Sequence, residues 1–273
     1  MRIKVILASI LLTLIPFASS YAAISYDGIN PIADNIVFVG DSYCMGANLD
    51  SPDEGWAEIT ARYFGSQKYI RSCKGGTGFS ATSSDESFIN LVEHAAEQSE
   101  DPNAIEWVVI MGGYNDYRVD DDTLLSDGAQ MILRAKELFP QATILVGMNA
   151  WDSIRADRQE QLDRVLLDVR AIVQSTGVTY VDHIEEVLYN HPEFFTSDGV
   201  HPNSNGQSRL AECLATFISN IVSERAKADA EVQTAEKVNA YGNITLWLVL
   251  GTGIIIYLIY GIRHILAEKK TAK

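Results

Sequence analysis

Four residues of this sequence, Ser42, Asn115, Asp198 and His201, are of the types that carry out nucleophilic chemistry at an acyl carbon. That chemistry needs a hydroxyl to attack, an imidazole to take its proton, a carboxylate to orient the imidazole and donors for the oxyanion that forms. Ser42 follows directly on an apolar run ending in Gly40-Asp41, where a strand-to-helix turn can present it. His201 is one of five histidines and stands three residues after Asp198, a spacing that lets one turn bring both side chains to one side. Donors are at hand in the Ser42 N–H, in the glycine loop Cys73-Lys74-Gly75-Gly76-Thr77-Gly78, and in the Asn115 amide.

Residues so far apart meet only if the fold brings several segment ends to one edge. Short apolar runs at 35–39, 68–72, 106–111, 142–148 and 178–181 read as strands, and 56–64, 86–98, 122–139, 156–175 and 203–223 have helical spacing or length. Alternation of apolar strands with helices predicts a three-layer α/β/α domain with a mostly parallel, roughly five-stranded sheet covered on both faces. Ligands in such sheets bind beyond the carboxyl ends of the strands. In this sequence those ends run into Gly40-Asp41-Ser42, the glycine loop, Gly112-Gly113-Tyr114-Asn115-Asp116, Asn149-Ala150-Trp151-Asp152 and, a little later, Asp198-Gly199-Val200-His201.

These blocks resemble those of the SGNH hydrolases, the GDSL-type lipases and esterases. Gly40-Asp41-Ser42-Tyr43 resembles the first block, with Tyr43 where Leu is usual. The loop at 73–78 resembles the second, with Cys73 where Asn is common, and Gly78 matches the glycine of the oxyanion hole. Gly113-Tyr114-Asn115-Asp116 resembles the third and Asp198-Gly199-Val200-His201 the last. The resemblance covers roughly 35–223. It implies the flavodoxin-like SGNH fold and acyl-ester hydrolysis through an acyl-serine. Ser42 would be nucleophile, His201 base and Asp198 its orienting acid, with Ser42, Gly78 and Asn115 at the oxyanion and Asp41, Gly75 and Asp116 in support. It implies no metal and no organic cofactor. Transfer of the acyl group to an envelope glycan, or a non-catalytic surface binding role on the same fold, are the other readings.

The two ends bear on location. Arg2 and Lys4 precede an apolar run, Val5 to Phe17, followed by the small residues Ala18, Ser19, Ser20, Ala22 and Ala23, the pattern of a signal peptide over 1–23. An ectodomain over 24–225 and a polar stalk over 226–241 follow. Ile244–Ile262 is 19 residues and almost wholly apolar, about 28 Å as a helix. This predicts a transmembrane helix over 242–263. Arg263, Lys269, Lys270 and Lys273 would place a basic tail, 264–273, in the cytoplasm and the ectodomain outside the cell membrane. The expected substrates are small-molecule, lipid or glycan esters.

The whole chain carries a formal charge of −15, and residues 24–237 alone hold 15 cationic against 35 acidic side chains. Phosphate binding needs a basic surface, so nucleic acid is excluded as a partner. Neither a P-loop nor a dinucleotide fingerprint is present, and three cysteines without a Cys/His cluster make no zinc site. Cys44 and Cys73 both fall beside the proposed site, and either a disulfide tying the serine turn to the glycine loop or two thiols fits. Asp182-His183 is a rival pair, weakened because adjacent strand residues face opposite ways. Asp120-Asp121-Asp122 reads as a helix start. Tyr114 and Trp151 are candidates for the substrate cleft, and Asp116–Leu125 for a loop over it.

Overall fold

In a computed structural model, residues 34–80 and 87–271 are described. They belong to the unit Pro31–Lys273, whereas the unit Met1–Asn30 lies outside them. The expected signal peptide over 1–23 therefore also lies outside the described residues.

Five parallel strands, β1 (Ile36–Gly40), β2 (Tyr69–Cys73), β3 (Trp107–Met111), β4 (Thr143–Gly147) and β5 (Thr179–Tyr180), pair in the order β2-β1-β3-β4-β5. The inner strands β1 and β3 are apolar and buried throughout because both faces are covered, whereas the edge strands β2 and β5 are partly exposed. Val37, Val39, Val108 and Ile110 join one core, shared with α3 (Phe88–Gln98), α4 (Asp121–Leu138) and α5 (Ala156–Thr176). Ile36, Phe38, Trp107 and Val109 alternate into a second, shared with α2 (Trp56–Tyr63) and the first turns of α6 (Ser204–Thr271). This is the expected three-layer architecture.

Register decides where the site lies. Gly40 pairs with Cys73 and with Met111, and Met111 with Gly147. The last residues of β1 to β4 are therefore level, and the loops after them leave from one edge. The chain turns in opposite directions from β1, to β2 on one side and β3 on the other. That reversal opens a crevice at the carboxyl ends of β1 and β3, where Ser42 and Asn115 follow.

The membrane-spanning helix expected over 242–263 is corrected: among the described residues no helix is long and apolar enough to cross a membrane. The apolar stretch is the distal part of α6, one helix that begins at Ser204 and packs on the core through Leu210, Leu214 and Ile218. An apolar count over a sequence window does not by itself define a span, because it ignores the helix to which the window belongs. The stalk expected over 226–241 is part of that same helix, and its described side chains are exposed. β5 is shorter than the four residues expected. Asp116–Leu125 is not an open loop. A 3₁₀ turn, Tyr114–Arg118, leads into α4, and Arg164 donates to the carbonyls of Tyr117 (3.3 Å) and Val119 (2.8 Å) between them.

Candidate active site

The turn that carries Ser42 is built by its neighbours. Asp41 caps α1 (Ser42–Met45), its Oδ1 accepting from the Tyr43 N–H at 2.9 Å. Buried Gln207 of α6 accepts from the Trp56 N–H at 3.0 Å and donates to the Tyr43 carbonyl at 3.0 Å. The Tyr43 hydroxyl donates to the Trp151 carbonyl at 3.2 Å. Helices on one side and the β4 loop on the other thus grip the turn.

Ser42 Oγ lies 3.0 Å from His201 Nε2, and His201 Nδ1 lies 2.5 Å from Asp198 Oδ2. With the proton on Nδ1 both contacts are satisfied: the imidazole donates to Asp198 and accepts from the serine hydroxyl. Asp198 Oδ1 accepts from the Thr196 hydroxyl (2.8 Å) and from the N–H groups of Val200 (2.9 Å) and His201 (3.0 Å). Burial opposes its charge, but these donors and His201 outweigh it and hold the carboxyl well below the usual range. An ionised carboxylate, an imidazole and a hydroxyl in one line form a relay that can draw a proton off Ser42.

The other predicted residues stand on the loops that leave the same edge of the sheet. Asn115 Nδ2 donates to the Thr77 carbonyl at 2.8 Å, which sets its amide against the glycine loop beside Gly78. Gly78 must be glycine, since a Cβ there would lie 2.6 Å from Asp116 Oδ1. Gly75 sits closest to the serine, a Cβ at its position falling 3.7 Å from both Ser42 Cβ and Met45 Sδ. Cys44 and Cys73 are disulfide-bonded, with Cα atoms 5.7 Å apart, so the serine turn and the glycine loop are covalently tied.

Asp41 and Asp116 are fully buried. Asp116 accepts from the N–H groups of Phe79 (3.0 Å) and Ser80 (2.9 Å) and so holds the chain just past the glycine loop. Asp41 Oδ2 has no hydrogen-bond partner among the described residues. Burial pushes Asp41 up to about 7, against the Tyr43 N–H and nearby His201. Burial also pushes Asp116 up to about 7, against its two N–H bonds and with the charges of Asp41 and Asp127 adding.

The rival readings resolve differently. His183 is exposed and bonds Glu186 at 3.1 Å, apart from the relay. Asp120 caps α4 through the Thr123 N–H at 3.0 Å. Tyr114 is committed to its own network, donating to Asp152 (2.8 Å) and accepting from Arg158 (2.7 Å) and Arg155 (3.1 Å). Trp151 packs on Phe195 with ring centroids 5.3 Å apart. Burial raises the thiol of Cys213 to about 11. Two residues that touch the relay region went unremarked in the sequence. Asn48 donates to Asp198 Oδ2 at 2.8 Å, and Ser153 holds the Gly199 carbonyl through its N–H (3.1 Å) and hydroxyl (2.8 Å). Asn48 left no pattern in the sequence; its left-handed backbone, φ 64°, is one that asparagine tolerates.

A parallel α/β sheet that presents a Ser-His-Asp line at its carboxyl edge defines the α/β class of serine hydrolase geometry. Within that class the chain belongs to the GDSL-like lipase/acylhydrolase family, whose model matches residues 38–209. It is an SGNH hydrolase and an ester-hydrolysing enzyme. A GDSL lipase of Mycobacterium tuberculosis is 27% identical over 216 residues, which are 73% of this chain and 87% of that lipase. Among solved structures, a member of the lipolytic G-D-S-L family from Veillonella parvula superposes with a TM-score of 0.51 at 20% identity, covering 66% of this chain and 96% of its own. A carbohydrate esterase family 2 enzyme of Corynascus thermopiles, solved with a carbohydrate-binding domain, superposes at 0.55 with 17% identity, covering 71% of this chain and 68% of its own. At these identities the two structures speak for the fold.

Proposed function

We propose that this enzyme cleaves carboxylic esters of small alcohols or glycans through an acyl-serine, with Ser42 as nucleophile, His201 as general base and then acid, and Asp198 holding the imidazole. The observation that carries this is the unbroken line Asp198 Oδ2, His201 Nδ1, His201 Nε2, Ser42 Oγ, with contacts of 2.5 and 3.0 Å. As Ser42 Oγ bonds to the carbonyl carbon, its proton passes to His201 Nε2. The tetrahedral oxyanion is met by the N–H of Ser42, the N–H of Gly78 and the Asn115 amide, each worth on the order of 3 kcal/mol in the transition state. Collapse expels the alcohol, which takes the proton from His201. A water then repeats the cycle on the acyl-serine and releases the acid.

The substrate class rests on two points. Exposed Met45 lies beside Ser42 and Gly75, so apolar surface flanks the nucleophile where an acyl group would rest, and exposed Ile154 covers Gly199 in the loop that carries Asp198 and His201. A carbohydrate esterase shares the fold. We also place the enzyme outside the cytoplasm. The Cys44–Cys73 disulfide, a bond that persists in oxidising compartments, and the basic, apolar, small-residue order of 1–23 support this.

The test is fluorophosphonate labelling of the full chain, read by peptide mapping, beside hydrolysis of acetyl to octanoyl esters of p-nitrophenol and of an acetylated sugar. Label on Ser42, absent from Ser42→Ala and His201→Ala, is expected. Undiminished hydrolysis by folded Ser42→Ala would overturn the assignment.

A further inference from the structure

We propose that Asn48 is a positioning residue for the relay, clamping Asp198 from the side of the chain that carries the nucleophile. The inference rests on the roles assigned above to Ser42, His201 and Asp198. Asn48 sits six residues after Ser42, just past α1, and its Nδ2 donates to Asp198 Oδ2 at 2.8 Å. That oxygen is the one His201 Nδ1 engages. Asn48 Nδ2 is also 3.4 Å from His201 Nδ1. In the tautomer that serves the relay both atoms are donors, so this is a close approach, and both converge on one acceptor.

The geometry around Asn48 fits this role. The Ala47 N–H returns to the Ser42 carbonyl at 3.0 Å and the Leu49 N–H to the Gly46 carbonyl at 3.2 Å, so a tight turn fixes where Asn48 projects. Its backbone is left-handed at φ 64°, a conformation that asparagine tolerates better than most side chains. Asp198 has its Oδ1 saturated by the donors of its own loop, Thr196, Val200 and His201. At Oδ2 the His201 ring orients the proton path from within the same loop, and Asn48 alone among these donors comes from another segment, tying the acid to the part of the chain that bears Ser42. The amide therefore sets the distance between the two ends of the relay across a sequence gap of 150 residues. Misplacing a catalytic group by about 1 Å can cost up to a hundredfold in rate.

Two substitutions test this without asking the turn to change shape, because Gly and Asp both accept a left-handed backbone. Asn48→Gly removes the amide. Asn48→Asp keeps its size but puts a carboxylate where the donor was, against Asp198. With the ester that the full chain hydrolyses best, kcat is expected to fall on the order of tenfold in Asn48→Gly and further in Asn48→Asp, with KM within about twofold. The rate of fluorophosphonate labelling of Ser42 should fall in parallel, at temperatures where circular dichroism shows both variants folded. A kcat within twofold of the parent in both variants, or a rise in KM at unchanged kcat, would overturn the inference. Ser42→Ala run alongside separates the two claims. If it is inactive while the Asn48 variants match the parent, only the positioning role fails; if it retains activity, the relay assignment itself fails.

Discussion

The carbonyl of Gly199 is held twice by Ser153, through the backbone N–H at 3.1 Å and the hydroxyl at 2.8 Å. Gly199 lies between Asp198 and His201, and Ser153 lies beyond β4, so the loop after one strand sets the position of the acid and the base. Removing the hydroxyl in Ser153→Ala should cost about 1 kcal/mol of stability and lower kcat a few-fold, leaving KM near its starting value. Urea unfolding and steady-state kinetics on the same preparation check both.

Gly199 also has a left-handed backbone, φ 68°, and a Cβ there would collide with Ile154. Gly199→Ala should therefore lose about 2 kcal/mol, part backbone strain and part overlap. Trimming the neighbour separates the two. The double variant with Ile154→Ala should recover the overlap and keep the strain. A double variant no better than the sum of the singles would show that the collision contributes nothing.

Stability should fall as pH rises from about 4 to about 7. Asp41 keeps its proton up to about 7 in the folded protein but has an ordinary value of 3.8. In that window the native state holds a proton that the unfolded chain has released, so each pH unit costs up to about 1.4 kcal/mol for such a group. Asp41→Asn keeps an oxygen for the Tyr43 N–H and should flatten the slope of unfolding free energy against pH. Asp116→Asn should not be benign, because both Asp116 oxygens accept N–H bonds and the new amide would face a donor. Asp198 acts in the opposite sense and lower down. Its folded value is depressed, so its contribution is present above the ordinary carboxylate range and is lost as pH falls through it.

Breaking the Cys44–Cys73 bond should cost on the order of 3–4 kcal/mol, the value for a loop of this separation, 29 residues. Thermal unfolding with and without a phosphine reductant measures it. Because the bond joins the serine turn to the glycine loop, the reduced enzyme should also acylate more slowly at temperatures where it remains folded. Unchanged acylation after complete reduction would limit the disulfide to a stabilising role.

Much of this was legible in the sequence for identifiable reasons. Strands such as Ile36–Gly40 and Trp107–Met111 are buried on both faces and so read as unbroken apolar runs. The residues of the relay follow such runs or stand in short polar motifs, so type and spacing pointed to Ser42, Asp198 and His201, which the fold brings into one line. Asn48 was not legible, since a single amide in Gly-Ala-Asn-Leu-Asp has no pattern and acquires its partner only when Asp198 arrives from 150 residues away. Ser153 is the same case. Gly75 and Gly78 lie in the expected loop, but only folding sets Gly75 against Ser42 and Gly78 against Asp116. The distal apolar stretch was misread because a window count takes no account of the helix in which the window ends up.

The sheet separates two apolar cores, and Ser42, Asp198 and His201 stand at its carboxyl edge and belong to neither. Heat resistance and substrate preference can therefore be bred separately. Libraries confined to core positions remote from the serine turn, such as Val108 and Ile110 on one face or Phe64 and Leu214 on the other, alter endurance without redrawing the cleft. Libraries at Met45 and Ile154 alter what the cleft admits while leaving the scaffold intact.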